Sequence, residues 1–190
     1  YLAKRHHEST IATLLRLGGL PQKAPKTLGN FDFARMQGRD AAALRGLPAL
    51  ANLHARKDIA FVGPGGIGKT HLAKAYGREC CMRGYKTYFL KASELKDRLE
   101  RAVEGGTTAI AYDARGNARY RYALGHVVDH DRACTNLFFD IVDRRYEKEV
   151  PNTLILTSNT PVNNWDEFLE GDSDTLVCTL DRIFDKASVY

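Results

Sequence analysis

The sequence predicts an α/β protein with a parallel central sheet, and three features carry that expectation. The first is Asp58 to Leu72, where the apolar run Ile59-Ala60-Phe61-Val62 breaks into a glycine-rich loop and then continues in a helical pattern. The second is a repeat of that order: Lys86 to Leu90 reads as another strand, and Ser93, a good cap, opens a helix to Glu104. Strand, loop, helix, strand, helix implies parallel strands joined by right-handed crossovers. The third is Thr153 to Ser158, an apolar, β-rich run of the kind found in the middle of a parallel sheet.

The loop itself reads Gly63-Pro64-Gly65-Gly66-Ile67-Gly68-Lys69-Thr70-His71 and fits G-x-x-x-x-G-K-S/T, the Walker A pattern. Its glycines let backbone N–H groups turn inward around a phosphate. Lys69 sets a cation on the β and γ phosphates, and the Thr70 hydroxyl can hold Mg²⁺. The helix that starts near Thr70 points its positive end at the same anion. A plain glycine-rich turn is the competing reading, but the strand before and the helix after are what ATP binding requires.

Totals bound the rest. The 190 residues suffice for one α/β domain with a small appendage, and 44% hydrophobic and 27% charged residues are ordinary globular values. A net charge of +5 suits a polyanionic partner and equally a solvated basic surface. Cys80, Cys81, Cys134 and Cys178 form no C-x-x-C pair, so neither a zinc site nor a disulfide framework is expected, and a reduced, cytoplasmic setting is. No apolar stretch is long enough to cross a bilayer, and no membrane partner is expected. The first residue is Tyr rather than Met, which reads as a piece of a longer chain.

Taken in order, Leu2 to Leu17 is a basic amphipathic helix, either a contact to DNA or a partner or simply a solvated face. Gly18-Gly19, Pro21 and Pro25 then mark a linker, so residues 1–26 are set apart from a nucleotide-binding domain over 27–190. Thr27 to Phe33 reads as extended, with Phe31 and Phe33 as core anchors or flanking a base. Asp40 to His54 has helical spacing that Pro48 kinks or divides. Gly84 can close the helix that follows the loop. Cys134 to Glu149 is amphipathic, Trp165 reads as a packing anchor, Gly171 to Asp174 as a loop, and Leu176 to Ala187 as a closing helix. Asn159 falls at the C-terminal end of a strand, where open α/β sheets place their ligand chemistry. There it orients a water beside a γ phosphate or merely begins the turn before Pro161.

Gly63 to Ala73, Leu154 to Asn159 and Leu180-Asp181-Arg182-Ile183 together resemble the IstB family, AAA+ ATPases encoded by insertion sequences and related to the DnaC helicase loaders. The resemblance covers Asn30 to about Thr108 and Cys134 to the end. It implies a P-loop AAA+ fold of three αβα layers and a homo-oligomer that binds ATP, assembles on double-stranded DNA and directs a transposase. It also implies that Lys69 and Thr70 serve phosphate and Mg²⁺, that Asn159 is the sensor residue, and that Arg182 is the arginine finger of a neighbouring subunit's site. The family has a longer N-terminal helical region and continues a little beyond residue 190.

One interval departs from the pattern. An AAA+ ATPase needs a Walker B strand ending in Asp-Glu, which the family's spacing puts near Ala123-Leu124, and neither is acidic. Asp129 and Asp113 are the substitutes within 109–130, Asp129 the better placed. The run Arg115 to Tyr122 alternates Arg and Tyr and reads either as a stacking surface for nucleic acid or as the product of a shifted frame or degenerate copy. In the second reading the central Walker B strand is lost and hydrolysis is poor. Four activities follow: a transposition helper with weakened ATPase, a DnaC-like helicase loader, a non-hydrolysing DNA scaffold, and a small-molecule P-loop kinase.

Overall fold

Strand β1 (Ile59–Val62) lies near the centre of a five-stranded parallel sheet because its residues are apolar on both faces. Ile59 and Phe61 face one core cluster and Ala60 faces the other, the alternation expected of a strand. The computed structural model describes residues 2–36, 38, 40–104, 122–125, 132–165 and 173–190. Its strands run in the order β2 (Tyr88–Lys91), β3 (Tyr122–Gly125), β4 (Ile155–Ser158), β1, β5 (Ser188–Val189). Val62 pairs with Ser158 in register, so the C-terminal ends of β1 and β4 finish side by side.

On one face lie α2 (Ala41–Arg45), α3 (Ala51–His54) and α4 (Lys69–Met82), around a core of Leu44, Leu53, Phe61, Leu72 and Tyr76. On the other, α5 (Ala92–Glu104), α6 (Arg132–Tyr146) and α7 (Ser173–Phe184) close over Leu90, Leu99, Val142, Leu156 and Trp165. Trp165 is the packing anchor expected, 1% exposed, with its indole N–H donating to Thr160 O at 3.0 Å. Burying an aromatic of that size contributes about 2 to 3 kcal/mol. Gly84 ends α4 at φ +81, as expected, and Tyr85 N returns to Cys80 O at 2.9 Å.

Helix α1 (Leu2–Leu17) packs on α4 through Leu14, Leu15 and Cys81, and Gly18 O accepts from Phe89 N at 2.8 Å on the outer edge of β2. The 40–54 helix is divided at Pro48, as expected, because Gly46 and Pro48 open a 3-10 turn over Leu47–Ala49 and Leu50 stands at φ +54. Three expectations are corrected. Residues 27–33 form a turn rather than an extended segment, followed by a 3-10 turn at Phe33–Arg35. The closing helix starts at Ser173, inside the expected loop, and stops at Phe184, leaving Ser188 and Val189 to pair with β1. Finally, the central strand expected to be lost is present: Tyr122–Gly125 runs between β2 and β4, with Leu124 opposite Leu90 and Leu156. Hydrogen bonding from two parallel neighbours holds it there.

Candidate nucleotide site

Beyond Val62 the chain must turn sharply from strand to helix. Gly63 N donates to Ser158 O at 3.1 Å, tying the start of the loop to the end of β4. Gly66 at φ +84 and Gly68 at φ +99 occupy conformations that L side chains rarely adopt. Nothing lies within 4 Å of where a Cβ would stand on Gly65 or Gly66, so the loop's outer face is open. Lys69 folds over the loop, its Nζ donating to Gly63 O at 2.6 Å and Pro64 O at 2.7 Å. Partial burial there lowers its amine's pKa. Thr70 is exposed on the first turn of α4, whose N-terminus faces the same space.

These residues fit the polyphosphate of ATP: open amide-lined loop, cation and helix N-terminus converge, and a triphosphate would replace the two carbonyls as Lys69's acceptors. For Mg²⁺ the chain offers the Thr70 hydroxyl. Among the described residues no cluster of three His, Cys, Asp or Glu side chains is set to hold a metal. Mg²⁺ bound with a nucleotide takes much of its shell from phosphate oxygens and water, so a single hydroxyl is compatible with it.

His71 plays a part that its place in the motif did not suggest. Its Nε2 faces two acceptors, Thr27 O at 3.0 Å and Asn30 Oδ1 at 2.9 Å, so that nitrogen carries the proton. Asn30 Oδ1 also accepts from Thr27 N at 2.9 Å, Asn30 N donates to Thr27 Oγ1 at 3.0 Å, and Asn30 Nδ2 donates to Pro25 O at 2.9 Å. This clasp seats Phe31 edge-on to His71, with ring centroids 5.2 Å apart, and against Gly68. Sequence reading passed over Asn30; the reciprocal Thr-x-x-Asn spacing was its available signal.

Asn159 follows Ser158 and is exposed beside the loop, as expected from its strand end. The side-chain bonds of its turn come from neighbours: Ser158 Oγ accepts from Thr160 N and donates to Thr160 O, both at 3.0 Å. That arrangement weakens the reading of Asn159 as the turn's organiser. Arg182 is not brought to the loop. It lies on α7, its Nε 2.7 Å from Asp143 Oδ1 and its guanidinium 4.8 Å from the Phe139 ring centroid. It lines a cavity of about 100 Å³ with Asp58, Arg145 and Lys186, at the end of the sheet where β1 begins. The length of β1, roughly 13 Å, separates that cavity from the phosphate loop. β3 ends in Gly125, with no acid on its last residues, while Asp113 and Asp129 lie outside the described residues, as does the interval 109–121.

Sheet order, helices on both faces and a glycine-rich loop between β1 and α4 define a P-loop AAA+ protein. Two solved structures share this fold: AMPPCP-bound DnaA from Aquifex aeolicus (TM-score 0.62, 23% identity, 86% of this chain and 49% of that one) and the DnaC helicase loader (TM-score 0.60, 20% identity, 86% and 94%). The family model for IstB-like ATP binding proteins matches residues 2–190, and the chain belongs to that family. It is 33% identical over 192 residues to the ATP-binding protein of insertion sequence IS5376 from Geobacillus stearothermophilus, covering 95% of this chain and 70% of that one. It is 31% identical over 183 residues to the ATP-binding protein of insertion sequence IS21 from Pseudomonas aeruginosa, covering 93% and 65%. No helix among the described residues is long and apolar enough to cross a membrane.

Proposed function

We propose that this chain is a cytoplasmic ATP-binding helper for DNA transposition, which assembles as a homo-oligomer on double-stranded DNA and assists a transposase. The observation that carries the nucleotide part is Lys69, held over the loop by Gly63 O and Pro64 O at the N-terminus of α4. Family membership and relatives encoded by insertion sequences support the transposition part. Lys69 and the loop amides bind the β and γ phosphates, Thr70 takes one position on Mg²⁺, and Asn159 reaches the γ phosphate from the adjoining strand end. Arg182, at the far end of the sheet from its own loop, acts on the nucleotide of a neighbouring subunit.

A second reading, a nucleotide-responsive DNA scaffold that does not turn ATP over, is favoured by one observation: β3 ends in Gly125 where a water-activating acid belongs. Phosphate release by purified protein, with and without duplex DNA, separates the two. Turnover abolished by Lys69→Ala and by Arg182→Ala, the latter with ATP binding intact, supports the enzyme. ATP binding with no phosphate released in either condition supports the scaffold, and no binding of ATP at all refutes both.

A further inference from the structure

A group of cations lies beside the nucleotide helix, outside the phosphate loop sequence. Lys74 lies one turn along α4 from His71, on the same face, and its ammonium sits 4.4 Å from the Phe89 ring centroid. Phe89 and Lys91 are two residues apart on β2 and share a face, which brings Lys91 to the same side. Lys26 is delivered by the clasp, since Pro25 O and Thr27 N on either side of it are both bonded to Asn30 and Thr27 O to His71. Lys26 and Lys91 are exposed.

Lys26, Lys74 and Lys91 thus come from three separate elements to one side of α4, and Glu94 Oε2 accepts from Lys91 N at 3.4 Å beside them. The crowding registers on Lys74, whose amine is depressed by burial first and then by Lys91 and Lys26, against Glu94. Like charges brought together this way cost folding free energy, and such local conflict is expected where a ligand relieves it. A polyanion with regularly spaced charges does so, and it displaces condensed counterions as it binds.

Resting on the DNA-binding reading above, we infer that Lys26, Lys74 and Lys91 form a contact for the phosphate backbone of duplex DNA. Because Lys74 stands one turn beyond Thr70 on α4, and Lys26 hangs from the clasp on His71, the contact is joined mechanically to the nucleotide loop. Backbone contacts of this kind carry no sequence preference.

The test is fluorescence anisotropy of a labelled random-sequence duplex with the full chain and saturating ATP, across a salt series. The variant Lys26→Gln/Lys74→Gln/Lys91→Gln binds at least tenfold more weakly, and its plot of log affinity against log salt is shallower by about 2 to 3. Binding of a fluorescent ATP analogue stays at the wild-type level, which shows that the variant folds. Removing two exposed charges elsewhere, Lys57→Gln/Lys86→Gln, leaves the slope within half a unit of wild type. A wild-type slope in the triple variant overturns the inference while leaving DNA binding in place. Wild-type protein that binds no duplex refutes the DNA-binding reading itself, and an acidic peptide that binds wild type but not the triple variant, with duplex affinity unchanged between them, reassigns the patch to a protein partner.

Discussion

A Cβ on Gly68 would stand 2.7 Å from Cε2 of Phe31, closer than real Cβ contacts come. Phe31 is therefore part of the loop's wall, and glycine is required at position 68 by φ +99, while any side chain there would also have to push that ring aside. Gly68→Ala is expected to destabilise the protein by about 2 to 4 kcal/mol, combining left-handed strain with the clash. Adding Phe31→Leu is expected to recover the clash portion only. Denaturant melts of both variants measure the split, and full recovery would show that backbone conformation contributes nothing.

The clasp predicts a second effect. Asn30→Ala removes the acceptor shared by Thr27 N and His71 and the donor to Pro25 O, and it is expected to cost about 1 to 3 kcal/mol. Since the same clasp seats Phe31 on the loop, ATP affinity should fall severalfold. Calorimetric titration of Asn30→Ala checks this, and unchanged affinity would separate the clasp from the site.

The described residues of strand β3, Tyr122–Gly125, include no acid. Gly125→Glu is expected to raise ATP turnover at least tenfold, a modest share of the 10²- to 10⁴-fold typical of a positioned general base. Phosphate release under saturating ATP is the measurement. No gain would locate the deficit elsewhere than at the end of β3.

Asp58 supplies a pH prediction. Burial raises its pKa above the usual 3.8, with Arg145 and the Leu154 amide pulling the other way. Between the unfolded and folded values the native state holds more protons, so this group's contribution to stability falls as pH rises through that window and is flat above it. Asp58→Asn keeps an acceptor for Leu154 N and cannot titrate. The stability of wild type relative to Asp58→Asn is therefore expected to decline from pH 4 upward until the carboxyl is fully ionised, measured by urea melts. A difference that grows with pH would reverse the assigned sign.

What the sequence made legible was what burial on two faces writes plainly. β1 and β4 are continuous apolar runs because both sides are covered, and α4 is announced by the glycines ahead of it. What it hid depended on partners distant in the chain. Tyr122-Ala123-Leu124-Gly125 is too short to stand out and becomes a strand because β2 and β4 bracket it. Ala187 keeps the helical spacing that starts at Leu176, yet the helix stops at Phe184 and Ser188 and Val189 pair with β1. At the site, the loop residues follow from the motif alone. Asn30 and Phe31 do not, since their importance lies in contacts to His71 and Gly68 some forty residues away.

The bond from Phe89 N to Gly18 O has a consequence for the behaviour of the folded protein in concentrated solution. Among the described residues β2 lies at one edge of the sheet, and an uncovered border of that kind recruits strands from other molecules. The turn after α1 occupies it, and only glycine fits, because a Cβ at position 18 would sit 2.5 Å from Thr87 O. A bulkier residue there would lift the turn away and leave a sticky seam, so the constraint at Gly18 guards against aggregation rather than serving chemistry.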